Sequence, residues 1–212
     1  SGSQEFIKGI DRWCLKISDA DLDLALSIPQ ISSRINAVKD FRLQSTKAAT
    51  VEAACRPHQF GEVRESTSDH SIIVPRVTSD LRPYIQIGLL DNKVVINDSA
   101  FLINNAPIYL FSIISSKLHI VWIKAVCGQL ETRIRYSNTL GYNSFPIPNL
   151  SDDDKETLEE LAWEIIEARE EHPGKTIADL YDPKKMPENL LKAHQKLDMV
   201  LETMYVGEPF KN

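Results

Sequence analysis

Apolar positions change period several times along the chain, and each change predicts an element. From residue 4 to 56 the texture is helical. Ser18-Asp19-Ala20-Asp21 offers a capped start, Leu22, Leu24 and Leu26 lead to a break before Pro29, and a second helical stretch runs from about Ser32 to Ala54 with Ile35, Val38 and Phe41 as its apolar positions. Beyond Gly61 the apolar runs become short and β-branched. Ser71 to Pro75, Tyr84 to Leu90 and Lys93 to Ile96 are punctuated by Pro83, Gly88 and Asp91-Asn92, the spacing of an antiparallel or mixed sheet. A helical stripe follows at Leu110, Ile114, Leu118, Val121 and Ala125, with Pro107 suited to its first turn and Gly128 supplying a left-handed stop. Directly after it, Leu130, Thr132, Ile134 and Tyr136 alternate with Glu131, Arg133 and Arg135, the period of a half-buried strand. If Leu130 and Ile134 face the core, the glutamate and the two arginines share the opposite face.

The last third is helical again. Phe145 to Leu150 holds two alternating prolines and forms a stiff connector. Ser151 then caps a helix whose first turn, Asp152 to Asp154, places negative charge at the positive end of the helix dipole. Its stripe is Leu158, Leu161, Ile165 and Ala168, and it stops before Pro173-Gly174. Pro187 opens a final helix carrying Leu190, Leu191, His194, Leu197, Leu201 and Met204. The two make a hairpin that needs a partner to bury its stripes. The expected fold class is α+β: a mixed or antiparallel sheet with packed helices, followed by a C-terminal helical hairpin.

Composition narrows the class. With 212 residues, 42% of them hydrophobic, the chain suits one domain with a small helical annex, and disorder, collagen and a disulfide miniprotein are excluded. Three widely separated cysteines, Cys14, Cys55 and Cys127, give no disulfide framework and suggest a reducing compartment. The longest apolar stretch, around Ile108 to Val126, is interrupted by Ser112, Ser115, Ser116, Lys117, His119 and Lys124, which makes a poor membrane span. No basic and apolar leader opens the chain, so a cytoplasmic protein without a membrane partner is expected. Ser1-Gly2-Ser3 reads as the scar of an expression tag and is set aside.

A net charge of −6 would argue against nucleic acid, yet the charge is uneven. Residues 151–212 carry 8 basic and 16 acidic side chains, which leaves 16 basic against 14 acidic for the first 150. Such asymmetry points to an interaction surface on one part and a solvated surface on the other.

Several chemistries are missing. The eight glycines never occur as Gly-x-Gly, and neither a Gly-x-Ser-x-Gly elbow nor a His-Glu-x-x-His helix is present. Cys55 and His58 have ligand-like spacing without a second pair, and Glu65, Asp69 and His70 suggest acid-base work only if a pocket is assumed. His119 beside Trp122 reads as packing. Autonomous catalysis is not expected. The Glu131, Arg133, Arg135 face carries two readings. One is a solvated strand whose opposite charges pair. The other is a strand that reads a DNA groove, since arginine forks match guanine O6 and N7 and a carboxylate accepts from cytosine N4. Lys117 and Lys124, seven apart, and the stripe Arg34, Lys39, Arg42, Lys47 are candidate phosphate contacts or simply solvated helix faces.

The order of motifs resembles a known family. Arg82-Pro-Tyr-Ile-Gln-Ile-Gly88, Ser99-Ala-Phe-Leu-Ile103, Tyr109-Leu-Phe111, Lys117-Leu-His-Ile-Val-Trp122, Cys127 to Ser137, Tyr142-Asn-Ser-Phe-Pro-Ile-Pro148, Leu180-Tyr-Asp-Pro183 and Met186 to His194 resemble, in this order, the C-terminal part of MmeI-like restriction-modification enzymes. Arg12-Trp-Cys-Leu15 and Arg34 to Leu43 resemble that family's passage from methyltransferase to target recognition domain. Ile147 and Gln86 depart from its usual aromatic and proline at those places.

The resemblance implies a fragment of a longer chain that carries a nuclease, a helical spacer and an adenine-N6 methyltransferase upstream. Residues 1–3 would be a tag remnant, 4–13 a linker from the methyltransferase domain, 14–148 a DNA target recognition domain and 149–212 a helical C-terminal domain. It implies base reading by Glu131, Arg133, Arg135 and a position at Ser99 or Ala100, and it favours the groove-reading strand. Lys117, Lys124, Arg34, Arg42 and Lys47 would contact the DNA backbone. S-adenosylmethionine and magnesium would belong to the parent enzyme, and the partners would be double-stranded DNA and the upstream methyltransferase domain. The competing reading is a protein-docking module that never reads bases.

Overall fold

The computed structural model describes residues 1–62, 70–91 and 94–210. Its helices are α1 (Ser3–Lys8), α2 (Leu22–Ser27), α3 (Pro29–Leu43), α4 (Ala48–Glu52), α5 (Ile108–Ser115), α6 (Lys117–Val126), α7 (Asp152–Glu170), α8 (Ile177–Leu180) and α9 (Glu188–Val206). The strands are β1 (Ser71–Pro75), β2 (Val77–Thr78), β3 (Gly88–Leu90), β4 (Ala100–Asn104), β5 (Gly128–Leu130) and β6 (Arg133–Arg135). Two compact units result, one over Arg12–Val63 and one combining Ser1–Asp11 with Arg64–Asn212.

The smaller unit is helical. The Ser18 hydroxyl accepts from the Asp21 amide and caps a short 3-10 turn that leads into α2. Pro29 is the first residue of α3, where its fixed φ and missing N–H cost nothing, so the expected break at this proline is a helix start. The expected continuous helix to Ala54 is two, because α3 ends at Leu43 and α4 begins only at Ala48. Asp19 accepts from Gln59 Nε2 at 2.8 Å and lies 2.7 Å from His58 Nε2, and this His58 contact holds the Asp19 carboxyl below its ordinary pKa. His58 is thereby engaged with a carboxylate instead of pairing with Cys55.

The larger unit has two three-stranded antiparallel sheets, ordered β3-β1-β4 and β2-β6-β5. Of the expected strand from Tyr84 to Leu90 only Gly88–Leu90 pairs, while Tyr84, Ile85 and Ile87 are buried as irregular chain. Asn92 and Lys93, part of another expected strand and its turn, lie outside the described residues, as do Glu65 and Asp69.

A single expected helix after Pro107 is two, α5 and α6, meeting at a 62° bend. Ser116 adopts extended backbone and its hydroxyl accepts from the His119 amide at 3.2 Å, so the serine caps a new helix instead of continuing the old one. Gly128 is not a left-handed stop either. Cys127 leaves α6 in extended conformation and Gly128 already belongs to β5. Among the described residues no single helix is long and apolar enough to cross a membrane.

The stripes of the C-terminal hairpin find their partner within the chain. Leu158, Leu161 and Ile165 of α7 and Leu190, Leu197 and Leu201 of α9 are buried in one core with Phe111, Ile113 and Ile114 of α5, with Ile134 of β6 and with Tyr136 just after it. Ser151 and Asp154 form a full capping box on α7, as Thr176 and Asp179 do on α8. A buried polar network crosses this core. Arg169 of α7 donates to the Tyr181 hydroxyl and, at 2.9 Å, to the Ile87 carbonyl. Tyr181 meets His194 Nε2 at 2.7 Å, Tyr84 stacks on the His194 ring with centroids 4.0 Å apart, and the Tyr84 hydroxyl donates to Asp198 at 2.7 Å. The other Asp198 oxygen accepts from the Lys117 amide at 2.7 Å, at the start of α6.

Two buried histidines make stability depend on pH. Burial pushes His119 down to about 4 from an ordinary 6.5, and burial beside Arg169 moves His194 in the same direction. The unfolded chain binds protons below pH 6.5 while folded His119 does not until about 4. Stability is therefore complete above 6.5 and falls as pH drops through that window, by about 3 kcal/mol for His119. Asp198, raised by burial, acts with the opposite sign in the acid part of the window. Urea unfolding at a series of pH values should show this loss, and His119→Gln should flatten it; an unchanged slope in that variant would contradict the assignment.

Candidate nucleic-acid interface

The most sharply patterned segment of the sequence folds as a tight hairpin, not as one strand. β5 and β6 pair with Leu130 opposite Arg133 and Gly128 opposite Arg135, joined by Glu131 and Thr132. Glu131 holds φ +59, the sign that the first central residue of a two-residue II′ hairpin turn requires and that glycine normally supplies. The expected sharing of faces changes accordingly. Residues directly opposite in an antiparallel pair share a face, so Leu130, 44% exposed, lies beside Arg133 on the outer face instead of in the core. Glu131 sits at the tip. Ile134, between the arginines, is buried, and Tyr136 after them is fixed by its backbone N–H to the Arg76 carbonyl at 2.8 Å and by its hydroxyl to His119 at 3.0 Å. Core packing on one side of β6 thus aims both arginines outward.

Arg133 and Arg135 line an open cavity of about 730 Å³ together with Arg76, Arg82, Lys8 and Ser99. Among the described residues five cationic side chains border it and no carboxylate does, a concentration of one sign that draws anions. Arg133 Nη2 donates to Glu131 at 2.9 Å. This pair is exposed and weakly held, on the order of 0 to 1 kcal/mol, so it orients the guanidinium without committing it. Arg76 lies over the Phe101 ring at 4.4 Å, and its buried Nε has no acceptor among the described residues. Arg82 reaches the Ala178 carbonyl at 3.4 Å, and its own amide closes a turn onto Ser79. Thr78, buried on the reverse face of β2, donates to Gln86 at 2.9 Å, and Gln86 donates to the Tyr84 carbonyl at 2.6 Å, so this glutamine is satisfied at both ends of its amide.

Not all expected site residues gather there. Ser99 borders the cavity, but its hydroxyl is occupied: it donates to Asn97 at 2.7 Å and accepts from the Ser3 amide at 2.9 Å. Ala100, the neighbouring candidate, is fully buried and pairs with Pro75 in the sheet. Lys117 and Lys124 are exposed on α6 and lie outside the cavity lining. In the smaller unit Arg34 and Lys47 are exposed, whereas Arg42 donates to the carbonyls of Ala53, Arg56 and Gln59 at 2.7, 2.9 and 2.7 Å. Arg42 is therefore a clamp that ties α3 to the following loop, with both of its terminal nitrogens engaged there. Arg76, Arg82, Lys8 and Gln4 escaped sequence reasoning. The two arginines lie beside prolines in short connections and the other two lie in a segment read as linker, so no periodicity marks them.

Residues 1–149 match the MmeI target recognition domain and residues 150–212 the MmeI C-terminal domain. DNA methyltransferase A of Bacillus subtilis (strain 168) is 42% identical over 211 residues, covering 100% of this chain and 24% of that protein. A solved structure of the type IIL restriction-modification enzyme MmeI in complex with DNA superposes with a TM-score of 0.95 at 35% identity, over 100% of this chain and 28% of that one. The chain thus spans about a quarter of the length of each relative. It belongs to the MmeI family, as that family's target recognition domain followed by its C-terminal domain.

Proposed function

We propose that the chain is the sequence-specific, double-stranded DNA recognition module of a restriction-modification adenine-N6 methyltransferase, without catalytic activity of its own and acting in the cytoplasm. The observation that carries this reading is the cavity bordered by Arg76, Arg82, Arg133, Arg135 and Lys8, with no carboxylate among the described residues of its lining. Arg133 and Arg135 read guanines through bidentate contacts to O6 and N7. Glu131 accepts from a cytosine amino group or orients Arg133. Its backbone strain supports a role for its side chain, since a non-glycine at positive φ costs roughly 1 to 2 kcal/mol that glycine would avoid. Lys117, Lys124, Arg34 and Lys47 contact phosphates.

S-adenosylmethionine and magnesium are assigned here to the parent enzyme. Among the described residues no group of three or more His, Cys, Asp or Glu is placed to hold a metal ion, and the sequence has no glycine loop for a cofactor. Their chemistry belongs to the upstream methyltransferase domain of the same polypeptide.

Salt dependence tests the reading directly. Each neutralised phosphate contributes about −0.9 to the slope of log K against log salt, so the four phosphate contacts predict a slope of about −3 to −4. Fluorescence anisotropy with labelled duplex over a range of salt concentrations measures it. Binding indifferent to salt would contradict DNA reading and favour a protein-docking module.

A further inference from the structure

The reading cavity has a second wall made by α1. Gln4, Ile7 and Lys8 all line it, and their i, i+3, i+4 spacing means that one face of the helix is turned toward Arg133 and Arg135. This wall is fastened. Ser3, although it reads as part of a tag scar, is the first residue of α1: its amide donates to the Ser99 hydroxyl at 2.9 Å, its hydroxyl donates to the Ser99 carbonyl, and the same carbonyl accepts from the Arg76 amide at 3.1 Å. Phe6 packs over β3 so closely that a Cβ on Gly88 would stand 2.3 Å from its ring. Gln4 and Lys8 are exposed, and neither has a hydrogen-bond partner among the described residues.

We propose that α1 is a second DNA-reading element, in which Gln4 contacts a base edge and Lys8 a phosphate, with Ser99 as the residue that positions both. The inference rests on the cavity being the DNA-facing surface. Gln4 presents a donor and an acceptor on one planar amide, the pattern that matches adenine N7 and N6 in the major groove. Lys8, about 6 Å further along the helix axis, carries a point charge suited to a phosphate oxygen and no sequence information. The neutral and the charged side chain therefore leave different signatures.

Selection from a pool of randomised DNA duplexes, followed by sequencing of the bound fraction, separates them. Gln4→Ala should keep the salt slope of the unaltered chain and lose about 5- to 150-fold discrimination at one base pair, leaving the other positions as they were. Lys8→Ala should weaken binding of all sequences alike and reduce the salt slope by about 1. Alanine favours an exposed helix, so neither replacement threatens α1. If Gln4→Ala and Lys8→Ala leave motif and slope untouched while Arg133→Ala relaxes one position, α1 is no reading element and the hairpin reading stands. If Arg133→Ala is silent too, or the unaltered chain enriches no sequence, the reading beneath this inference fails with it.

Discussion

Arg133→Ala lowers affinity for the preferred duplex by about 5- to 150-fold and relaxes preference at a single base pair. One bidentate arginine–guanine contact discriminates by about 1 to 3 kcal/mol, and alanine removes both forks. Stability should hardly change, because the side chain is exposed and its only hydrogen bond among the described residues is the exposed one to Glu131. Arg135→Ala behaves in the same way at a different base pair, since Ile134 between the two arginines is buried and fixes their common direction. Competition binding against a panel of single-base variants measures both effects. A uniform loss across all variants would show that these arginines meet phosphates and carry no sequence information.

The second large effect concerns stability. Arg169→Ala should destabilise the fold by about 3 kcal/mol, because it leaves the Ile87 carbonyl unsatisfied in the core, which costs about 1 to 3 kcal/mol, and takes the arginine donors from the Tyr181 hydroxyl, which keeps His194. The guanidinium also lies against the rings of Phe111 and Tyr181, at 5.3 and 5.0 Å from their centroids. Ile87 precedes the sheet strand β3 and Arg169 belongs to α7, so the arginine ties the C-terminal helices to the β3-β1-β4 sheet. Arg169→Lys should recover only part of the loss, since an ammonium cannot reproduce the fork. Urea unfolding monitored by tryptophan fluorescence provides the measurement, and a midpoint unchanged by Arg169→Ala would exclude this role.

What the sequence made legible follows physical range. The last third was readable because Ser151, the Asp152 to Asp154 turn and the leucine stripes are local signals, and α7 and α9 lie where those signals put them. The helix over Ile108 to Val126 was readable as helix but not as two, because Ser116 is equally compatible with a helix interior and with a cap, and only packing decides. Alternation from Leu130 to Tyr136 looked like one strand. The fold inserts a reversal at Glu131, a residue with no turn preference, and so moves Leu130 to the outer face.

The site divides in the same manner. Arg133 and Arg135 share a local pattern that sequence reasoning can weigh. Arg76, Arg82, Gln4 and Lys8 are brought to them by strand order and by the docking of α1, contacts that span up to about a hundred residues and leave no trace in local spacing. Buried side chains such as Asp198 and Tyr84 were equally invisible, since an acid on a helix reads as surface until the tyrosine and the Lys117 amide that satisfy it are known.

A crystal structure of this chain with its selected duplex tests the central claim most directly. The account predicts the β5–β6 hairpin in a groove with Arg133 nitrogens within about 2.7 to 3.2 Å of guanine O6 and N7. A hairpin turned away from the bases, or Arg133 and Arg135 meeting only phosphate oxygens, would contradict it.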